Sequence, residues 1–348
     1  MLTVSIAQNL FLEMMFYMYQ PTEENNLLLK NSLLFRLLRN SKNYKLDKTF
    51  IANLCSVSWP YTDRRANHLE ELGVLQKHID SNMPINPNYA HFAGAYITEN
   101  SIDIAIVDFQ GNTIEKKSFK LPEGEQMIIF MQNLFRKLDY SKIKGLSISS
   151  DNNFHESIEG NLENFVPHKI GIHMDIFQEA CEIPSENFSF EAIPTNIANC
   201  IAQEEFECKS ANSLKGALES NNKTIVVISY NNGEVFSTTI YNGKVIAKSA
   251  NLTNCFESNT GRISNEEFIE KFVAPSLRLF SPDKFVFFSN NEKTLNWIEE
   301  NLNDWKVLIL RHRAKIYPFT IPSLEINKTT PAESTALHSM YAYYGWEF

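Results

Sequence analysis

Cysteine is scarce in this chain and is never clustered. The five cysteines are isolated, and no two of them have the Cys-x-x-Cys spacing that zinc sites and redox motifs use. Their odd number also argues against a disulfide framework, so reduced thiols in a cytoplasmic protein are the expectation. Each is interpreted as a small buried apolar side chain: Cys55, Cys181, Cys200, Cys208 and Cys255.

The N-terminus lacks the features of a secretion signal or a membrane span. Residues 1–20 are apolar and rich in Met and Phe, but they have no positively charged start and they include Glu13. The stretch is also short for a membrane-spanning helix. It predicts an amphipathic helix within residues 1–26, buried either in the protein's own core or in a dimer contact, and no membrane partner.

Positive charge is in deficit overall, and the formal net charge of -9 argues against a general nucleic-acid binder. The exception is the basic segment, residues 27–78, which has nine Lys and Arg against four Asp and Glu. Its local balance of +5 leaves −14 for the rest of the chain. A concentrated positive patch is the electrostatic footprint expected where a protein contacts phosphates.

The apolar pattern of the basic segment predicts short helices. Leucines in the range Leu29–Leu38 recur at steps of three and four residues, which places them on one helical face. A second helix is predicted over Lys48–Leu54. After a tight turn, a third helix starts at its N-cap Ser58 and extends to about Leu72, where Gly73 is a stop signal.

Two short helices joined by a tight turn are typical of a helix-turn-helix, whose second helix enters the major groove of DNA. Residues 74–78 would begin an extended wing, so residues 27–85 are predicted to form a winged-helix DNA-binding domain. A fold used only for packing or protein contacts is the alternative. The side chains expected to contact double-stranded DNA are Lys48, Ser58, Trp59, Tyr61, Thr62, Arg64, Arg65 and Lys77.

The remainder of the chain repeats itself. When Gly111 is aligned with Gly243, two β-meanders superimpose in sequence, and each leads to a helix and a further strand. The pattern predicts a mixed α/β protein with a duplicated lobe, residues 90–215 and 216–348, whose C-terminal helix returns to the first lobe. The apolar run Val307–Leu310 is interpreted as a strand. Ligands of such folds lie in the crevice between the lobes.

A winged helix followed by this duplicated lobe resembles the ROK family (repressor, open reading frame, kinase), over residues 27–348. The resemblance implies an actin-like ATPase, or sugar-kinase-like, two-lobed domain, an association with carbohydrate metabolism, and a homodimer. Its supports are the helix-turn-helix of residues 48–75, the meander ending at residues 108–111, the strand of residues 145–149, and residues 192–200, which look like a decayed Asn-Asp-Ala-Asn-Ala motif.

The resemblance breaks down at the kinase phosphate loops. Kinases of the family hold ATP phosphates with glycine-rich turns between the first two strands of each lobe, where backbone N–H groups approach the phosphates. Here the first turn, residues 98–101, has no glycine, and the second, residues 231–234, has one. Glu99 and Glu234 would also place negative charge near a triphosphate.

The catalytic and metal-binding residues of the family also fail to match. Depending on the register, Thr195 or Asn196 stands where the resemblance implies a catalytic Asp, and neither is a comparable general base. The family's zinc cluster and sugar-binding Glu-x-Gly-His would follow the second meander, where the chain has Asn251-Leu252-Thr253-Asn254-Cys255. We therefore expect no enzymatic activity, no metal and no cofactor.

These features favour a DNA-binding transcriptional regulator of the ROK type with a non-catalytic effector and dimerisation domain. A protein-interaction scaffold of ROK origin and a divergent sugar kinase are the alternatives. A small sugar-like effector would bind between the lobes through side chains that donate or accept hydrogen bonds. The candidates, each of which also suits an ordinary loop, are Asp151, Asn152, Asn153, Asn196 and Asn254.

Overall fold

The fold is taken from a computed structural model. It describes residues 47–54, 58–76, 85–98, 100–123, 127–135, 137, 142–150, 193–206, 223–231, 234–241, 244–248, 264–313 and 322–343. The predicted N-terminal amphipathic helix and the leucine-rich first helix of the basic segment lie outside these residues.

Two helices of the basic segment are present where the sequence predicts them, α1 at Lys48–Leu54 and α2 at Trp59–Glu71. Ser58 precedes α2 in an extended conformation, although its side chain makes no capping hydrogen bond. Gly73 follows the helix with a φ of 76°, which suits glycine because it has no Cβ. Leu75 then pairs with Ile85 in an isolated antiparallel bridge.

The first lobe is built on a five-stranded sheet in the order β3-β2-β1-β4-β5. The strands β1, β2 and β3 form an antiparallel meander, and β4 and β5 are parallel to β1. Two helices belong to this lobe, α3 at Met127–Phe135 and α4 at Ile197–Glu204. The strands are β1 His91–Ile97, β2 Ser101–Asp108, β3 Thr113–Lys120, β4 Ile143–Ser150 and β5 Ile193–Asn196.

The second lobe repeats this topology. Its sheet has the order β8-β7-β6-β9-β10, again an antiparallel meander followed by two parallel strands. The duplication predicted from the alignment of the two glycines is therefore confirmed. The strands are β6 Thr224–Asn231, β7 Glu234–Tyr241, β8 Lys244–Lys248, β9 Lys284–Phe288 and β10 Ser323–Ile326.

Helices α5, α6 and α7 of the second lobe pack on one face of its own sheet. A π-helical turn at Ile269–Val273 joins the short helices α5 and α6. The apolar run Val307–Leu310, interpreted as a strand, is wrong, because it lies inside a long helix with buried Ile298, Trp305 and Ile309 on its packed side. The helices are α5 Asn265–Phe268, α6 Ala274–Phe280, α7 Glu292–Arg313 and α8 Pro331–Tyr343.

The two lobes exchange their last helices. Helix α4 of the first lobe packs on β6 and β7 of the second, and α8 of the second lobe packs on β1, β2 and β4 of the first. One apolar cluster therefore runs through the molecule, from Leu69 of α2 through Phe92 and Val227 to Met340 of α8. None of the described helices combines the length and the apolar character that crossing a membrane requires.

Helix α8 lies unusually close to the first sheet at Gly94. A Cβ atom at this position would lie 2.1 Å from the backbone nitrogen of Ala336 and 2.4 Å from the carbonyl oxygen of Ala332. The start of α8 is anchored as well, because Glu333 accepts hydrogen bonds from the backbone and hydroxyl of Thr330 and from the hydroxyl of Thr113 on β3. Helix α8 can therefore pack this closely on β1 only because Gly94 has no side chain.

Candidate functional site

The exposed side of α2 presents part of the predicted DNA-binding face. Ser58 and Arg64 are exposed, Trp59 is 50% exposed, and Tyr61 is half-buried. The Arg64 Nε donates to the carbonyl oxygen of Pro60 at 3.4 Å, which is a weak contact that leaves the guanidinium at the surface. Polar, basic and aromatic groups thus share one end of this helix.

Lys48 has an intramolecular role that the sequence did not reveal. Its Nζ lies 2.5 Å from the Asp63 carboxylate and donates to the Asn67 side chain at 3.1 Å, so it links α1 to α2. Its side chain is only 17% exposed. Because its charge is compensated within the helical pair, Lys48 holds the two helices together more than it presents free positive charge.

The placement of Thr62 on the predicted DNA-binding face is wrong. Thr62 is buried beside Ala66 and Leu69 on the packed side of α2, and its hydroxyl donates to the Ser58 carbonyl oxygen at 3.3 Å. Arg65 is half-buried and engaged in contacts within the chain. Lys77 lies outside the described residues.

The crevice between the lobes begins where the first two strands turn. At this turn the Thr98 hydroxyl accepts from the Ser101 backbone N–H at 3.0 Å and from the Asn100 backbone N–H at 3.4 Å. The Thr98 backbone N–H in turn donates to the Ser101 carbonyl oxygen at 2.9 Å. The described backbone donors of this turn, the N–H groups of Thr98, Asn100 and Ser101, are therefore used locally.

A hydrogen bond crosses from one lobe to the other near this turn. The amide of Asn290, just after β9, donates to the hydroxyl of Tyr96 on β1 at 2.8 Å. Tyr96 is buried, and β1 ends one residue later at Ile97. The contact joins the carboxyl ends of β1 and β9, the strand ends at which ligands of two-lobed α/β folds bind.

Two buried carboxylates fasten α4 to the second lobe. Glu205, the residue directly after α4, is fully buried and accepts from Lys284 at 2.9 Å and from Asn327 at 3.0 Å. Its neighbour Glu204 accepts from the hydroxyls of Thr329 and Ser334, both at 2.6 Å. The sequence analysis missed this pair, although two acids that directly follow the apolar helix were a signal that could have drawn attention to them.

Buried hydroxyls connect α8 to β4. The Ser147 hydroxyl lies 3.0 Å from the Nδ1 atom of His338, and the Ser149 and Thr335 hydroxyls lie 2.5 Å apart. Burial lowers the pKa of His338 from its ordinary 6.5 to about 4, so the ring is neutral at physiological pH. The sequence analysis missed His338 as well.

Several buried polar atoms near the two exchanged helices have no partner among the described residues. They are both amide atoms of Gln203 on α4 and the hydroxyl oxygens of Ser150 on β4 and Ser339 on α8. A buried polar group without a hydrogen bond costs about 1–3 kcal/mol. Such groups are the chemistry from which a site for a polar ligand could be built.

Only one of the five predicted ligand-binding residues, Asn196, lies among the residues that the structure describes. Asn196 is the last residue of β5, in register with Ser150, the last residue of β4, so the backbone places it at the crevice. Thr195 precedes it in register with Ser149. Asp151, Asn152, Asn153 and Asn254 lie outside the described residues. Among the residues that are described, no group of three or more His, Cys, Asp or Glu side chains is placed to hold a metal ion.

No protein-family model matches the sequence, and a comparison with the curated proteins finds no match. The fold, in contrast, has clear counterparts. A ROK family transcriptional regulator, a homologue of the E. coli MLC protein, aligns with a TM-score of 0.52 at 11% identity, over 89% of this chain and 96% of that one. The chain shares the fold of this regulator.

Other proteins of the ROK fold align less closely. A ROK hexokinase from Thermus thermophilus has a TM-score of 0.48 at 11% identity, over 73% of this chain and 99% of that one. A ROK protein from Streptococcus pneumoniae in complex with sucrose has a TM-score of 0.46 at 13% identity, over 74% of this chain and 100% of that one. The match to the ROK regulator confirms the two-lobed α/β fold that the resemblance implied. The solved structures to which the chain is similar include both a regulator and a sugar kinase.

Proposed function

We propose that the protein is a DNA-binding transcriptional regulator of the ROK type that acts as a homodimer and whose two-lobed body has no kinase activity. The observation that carries the proposal is the pair of helices α1 and α2 placed directly before a ROK body, with a solvent-facing arginine on the second helix. In a helix-turn-helix, the residues at the start of the second helix contact the DNA.

The extent of the structural match supports a regulator. Coverage of 89% of 348 residues is about 310 residues, whereas His91 to the C-terminus is only 258 residues. The match to the ROK regulator must therefore extend into the segment before the first lobe, which includes α1 and α2. A likeness confined to the two-lobed body would not reach that segment.

The chemistry of α2 supports contact with a nucleic acid. Arg64 is placed to form charge-assisted hydrogen bonds with phosphate oxygens or with the acceptor edge of guanine. Trp59 and Tyr61 add aromatic surface at the same end of the helix. Ser58, Trp59, Tyr61 and Arg64 remain the proposed DNA-facing residues, whereas Arg65 is set aside because it is half-buried and engaged within the chain. Lys48 holds the two helices in their relative positions.

The turn at residues 98–101 supports the loss of kinase activity. A phosphate loop needs backbone N–H groups that point at the ligand, and here the N–H groups of Asn100 and Ser101 donate to the Thr98 hydroxyl. The cross-lobe bond between Asn290 and Tyr96 occupies the neighbouring strand ends. We expect neither ATP hydrolysis nor sugar phosphorylation, which a coupled assay with Mg-ATP and a panel of hexoses would measure.

The body would respond to a small sugar-like effector. Gln203 and Ser150 provide buried donors and acceptors without partners among the described residues, and Asn196 ends the strand next to Ser150. Sugar hydroxyls both donate and accept, so they could satisfy such groups. An effector there would change the relative position of the lobes and hence the spacing of the two DNA-binding modules in a dimer.

Fluorescence anisotropy with labelled duplex DNA across a salt series tests the proposal. Full-length protein should bind more weakly as salt rises, because binding to phosphates releases counterions. Arg64→Ala should weaken binding by roughly tenfold and reduce the salt slope by about one. Lys293→Ala is the matched control, since Lys293 is an exposed cation on α7 of the second lobe.

An equal effect of the two substitutions would mean that net charge, and no particular face of α2, drives binding. An absence of DNA binding even at low salt would refute the regulator. The protein-interaction scaffold would then be the better account, and partners of the two-lobed body should be sought.

A further inference from the structure

An open groove lies on the outer face of the first lobe, away from the crevice between the lobes. Among the described residues, α3 packs on β1, β2 and β4, whereas the edge strand β3 is mostly exposed. The groove has a volume of about 680 Å³. Pockets that bind small molecules usually measure about 300–1,000 Å³.

The walls of the groove are apolar. Side chains alternate across a strand, so Ile104 and Ile106 of β2 point to the same face as Phe119 of β3. Phe130 and Leu134 of α3 form the opposite wall, and Ile143 closes one end. Ile104, Phe130, Leu134 and Ile143 are already buried, so an apolar body that entered the groove would remove from water mainly the exposed parts of Ile106 and Phe119, at a gain of about 25 cal/mol per Å².

The rim of the groove is basic, although the chain as a whole is acidic. Lys117, Lys137 and Lys142 line it, against a single carboxylate, Glu115. Glu115 forms an ion pair with Lys117, its neighbour on the same face of β3. Lys137 and Lys142 are exposed, which leaves an excess of two positive charges among the described ionisable residues of the rim when His91 is neutral.

We infer that this groove binds an amphipathic monocarboxylate, a free medium-chain fatty acid, with its chain along the apolar walls and its carboxylate between Lys137 and Lys142. The volume suits a small molecule, whereas the two exposed cations that line an otherwise apolar trough suit a ligand with a single anionic end. The site is distinct from the crevice and from α2, so it stands whether or not the protein binds DNA.

Isothermal titration calorimetry with the full-length protein tests the inference. Sodium decanoate, below its critical micelle concentration, should bind with a stoichiometry of one. Acetate, which has the anion without the chain, should not bind. Decyltrimethylammonium, which has the chain with the opposite charge, should bind at least tenfold more weakly than decanoate.

Two variants locate the site. Lys142→Glu reverses a charge at the rim, where the exposed side chain leaves folding unaffected, and should weaken decanoate binding roughly tenfold. Ile106→Trp fills the groove from a half-buried position and should abolish binding, with circular dichroism confirming that the variant is folded. Lys293→Glu, the same charge reversal on the second lobe, should leave the affinity unchanged.

Decanoate binding that survives both groove variants would place the ligand elsewhere and overturn the inference. Equal binding of decanoate and decyltrimethylammonium would overturn it too, because the basic rim would then contribute nothing. A complete absence of decanoate binding would have the same meaning.

Discussion

Burial of His338 should make the stability of the protein depend on pH in a defined direction. The ring is 1% exposed, on the face of α8 that packs against β4, and its Nδ1 atom lies 3.0 Å from the Ser147 hydroxyl. Burial lowers its pKa from 6.5 to about 4. As the pH falls, His338 is therefore protonated near pH 6.5 in the unfolded chain but only near pH 4 in the folded protein.

The sign and the size of the effect follow from this difference. Above pH 6.5 the ring is neutral in both states, and acidification then favours the unfolded chain, which binds the proton more readily. Lowering the pKa from 6.5 to about 4 corresponds to about 3 kcal/mol of unfolding free energy once the pH has fallen below both values. Between pH 7.5 and pH 5.0 the loss in unfolding free energy should be about 2 kcal/mol.

Urea denaturation at pH 7.5 and pH 5.0, followed by tryptophan fluorescence, measures this loss. His338→Asn retains a hydrogen-bonding group near the Ser147 hydroxyl but cannot ionise. The variant should be less stable at both pH values, and its loss on acidification should be smaller than the wild type's by about 2 kcal/mol. Contributions from carboxylates are common to both proteins and cancel. The same pH dependence in both would refute the reasoning.

Further substitutions test how the lobes are joined. Gly94→Ala should cost more than about 3 kcal/mol in urea denaturation, because the new methyl group meets the backbone of α8; Gly73→Ala, in open space with positive φ, should cost only about 1 kcal/mol, and equal costs would contradict the close approach. Lys284→Met should lower the free energy of unfolding by about 3 kcal/mol, because the buried Glu205 carboxylate loses the cation paired with it. Adding Glu205→Gln should restore part of this loss, and strictly additive losses in the double variant would mean that the two side chains do not interact. Burial raises the pKa of Glu333, but its hydrogen bonds from Lys116, Thr113 and Thr330 outweigh this and hold it below 4.5, so a wild-type stability advantage over Glu333→Gln should be present above pH 4.5 and shrink as the pH falls below it.

Local features of the fold were predictable from short stretches of sequence. The turn after β2 is stabilised by residues of the turn itself. The Asp108 carboxylate accepts hydrogen bonds from the backbone N–H groups of Gln110 and Asn112, both at 2.8 Å, and Gly111 adopts a φ of 80°. The duplication was visible because both copies keep a glycine at this turn. The boundaries of α1 and α2 followed from equally local signals.

Features that depend on distant partners were not predictable. The Ser147–His338 contact joins residues 191 positions apart, and that between Glu204 and Ser334 joins residues 130 apart. The burial of Thr62 escaped notice because its hydroxyl suggested exposure, whereas its spacing to Ala66 and Leu69 places it on the packed side. The run Val307–Leu310 has no period of its own, and only the longer spacing of Trp305 and Ile309 identifies it as helix.

The exchange of helices between the lobes has a consequence for how the protein is made. A ribosome releases the chain from its N-terminus, so the inner face of the first sheet emerges long before α8, the helix that covers Phe92 and the hydroxyls of β4. The apolar side chains and hydroxyls of that face therefore remain uncovered while the whole second lobe is synthesised. A truncation just before Pro331 would therefore damage the half of the molecule that is made first, although every one of that half's own residues would be present.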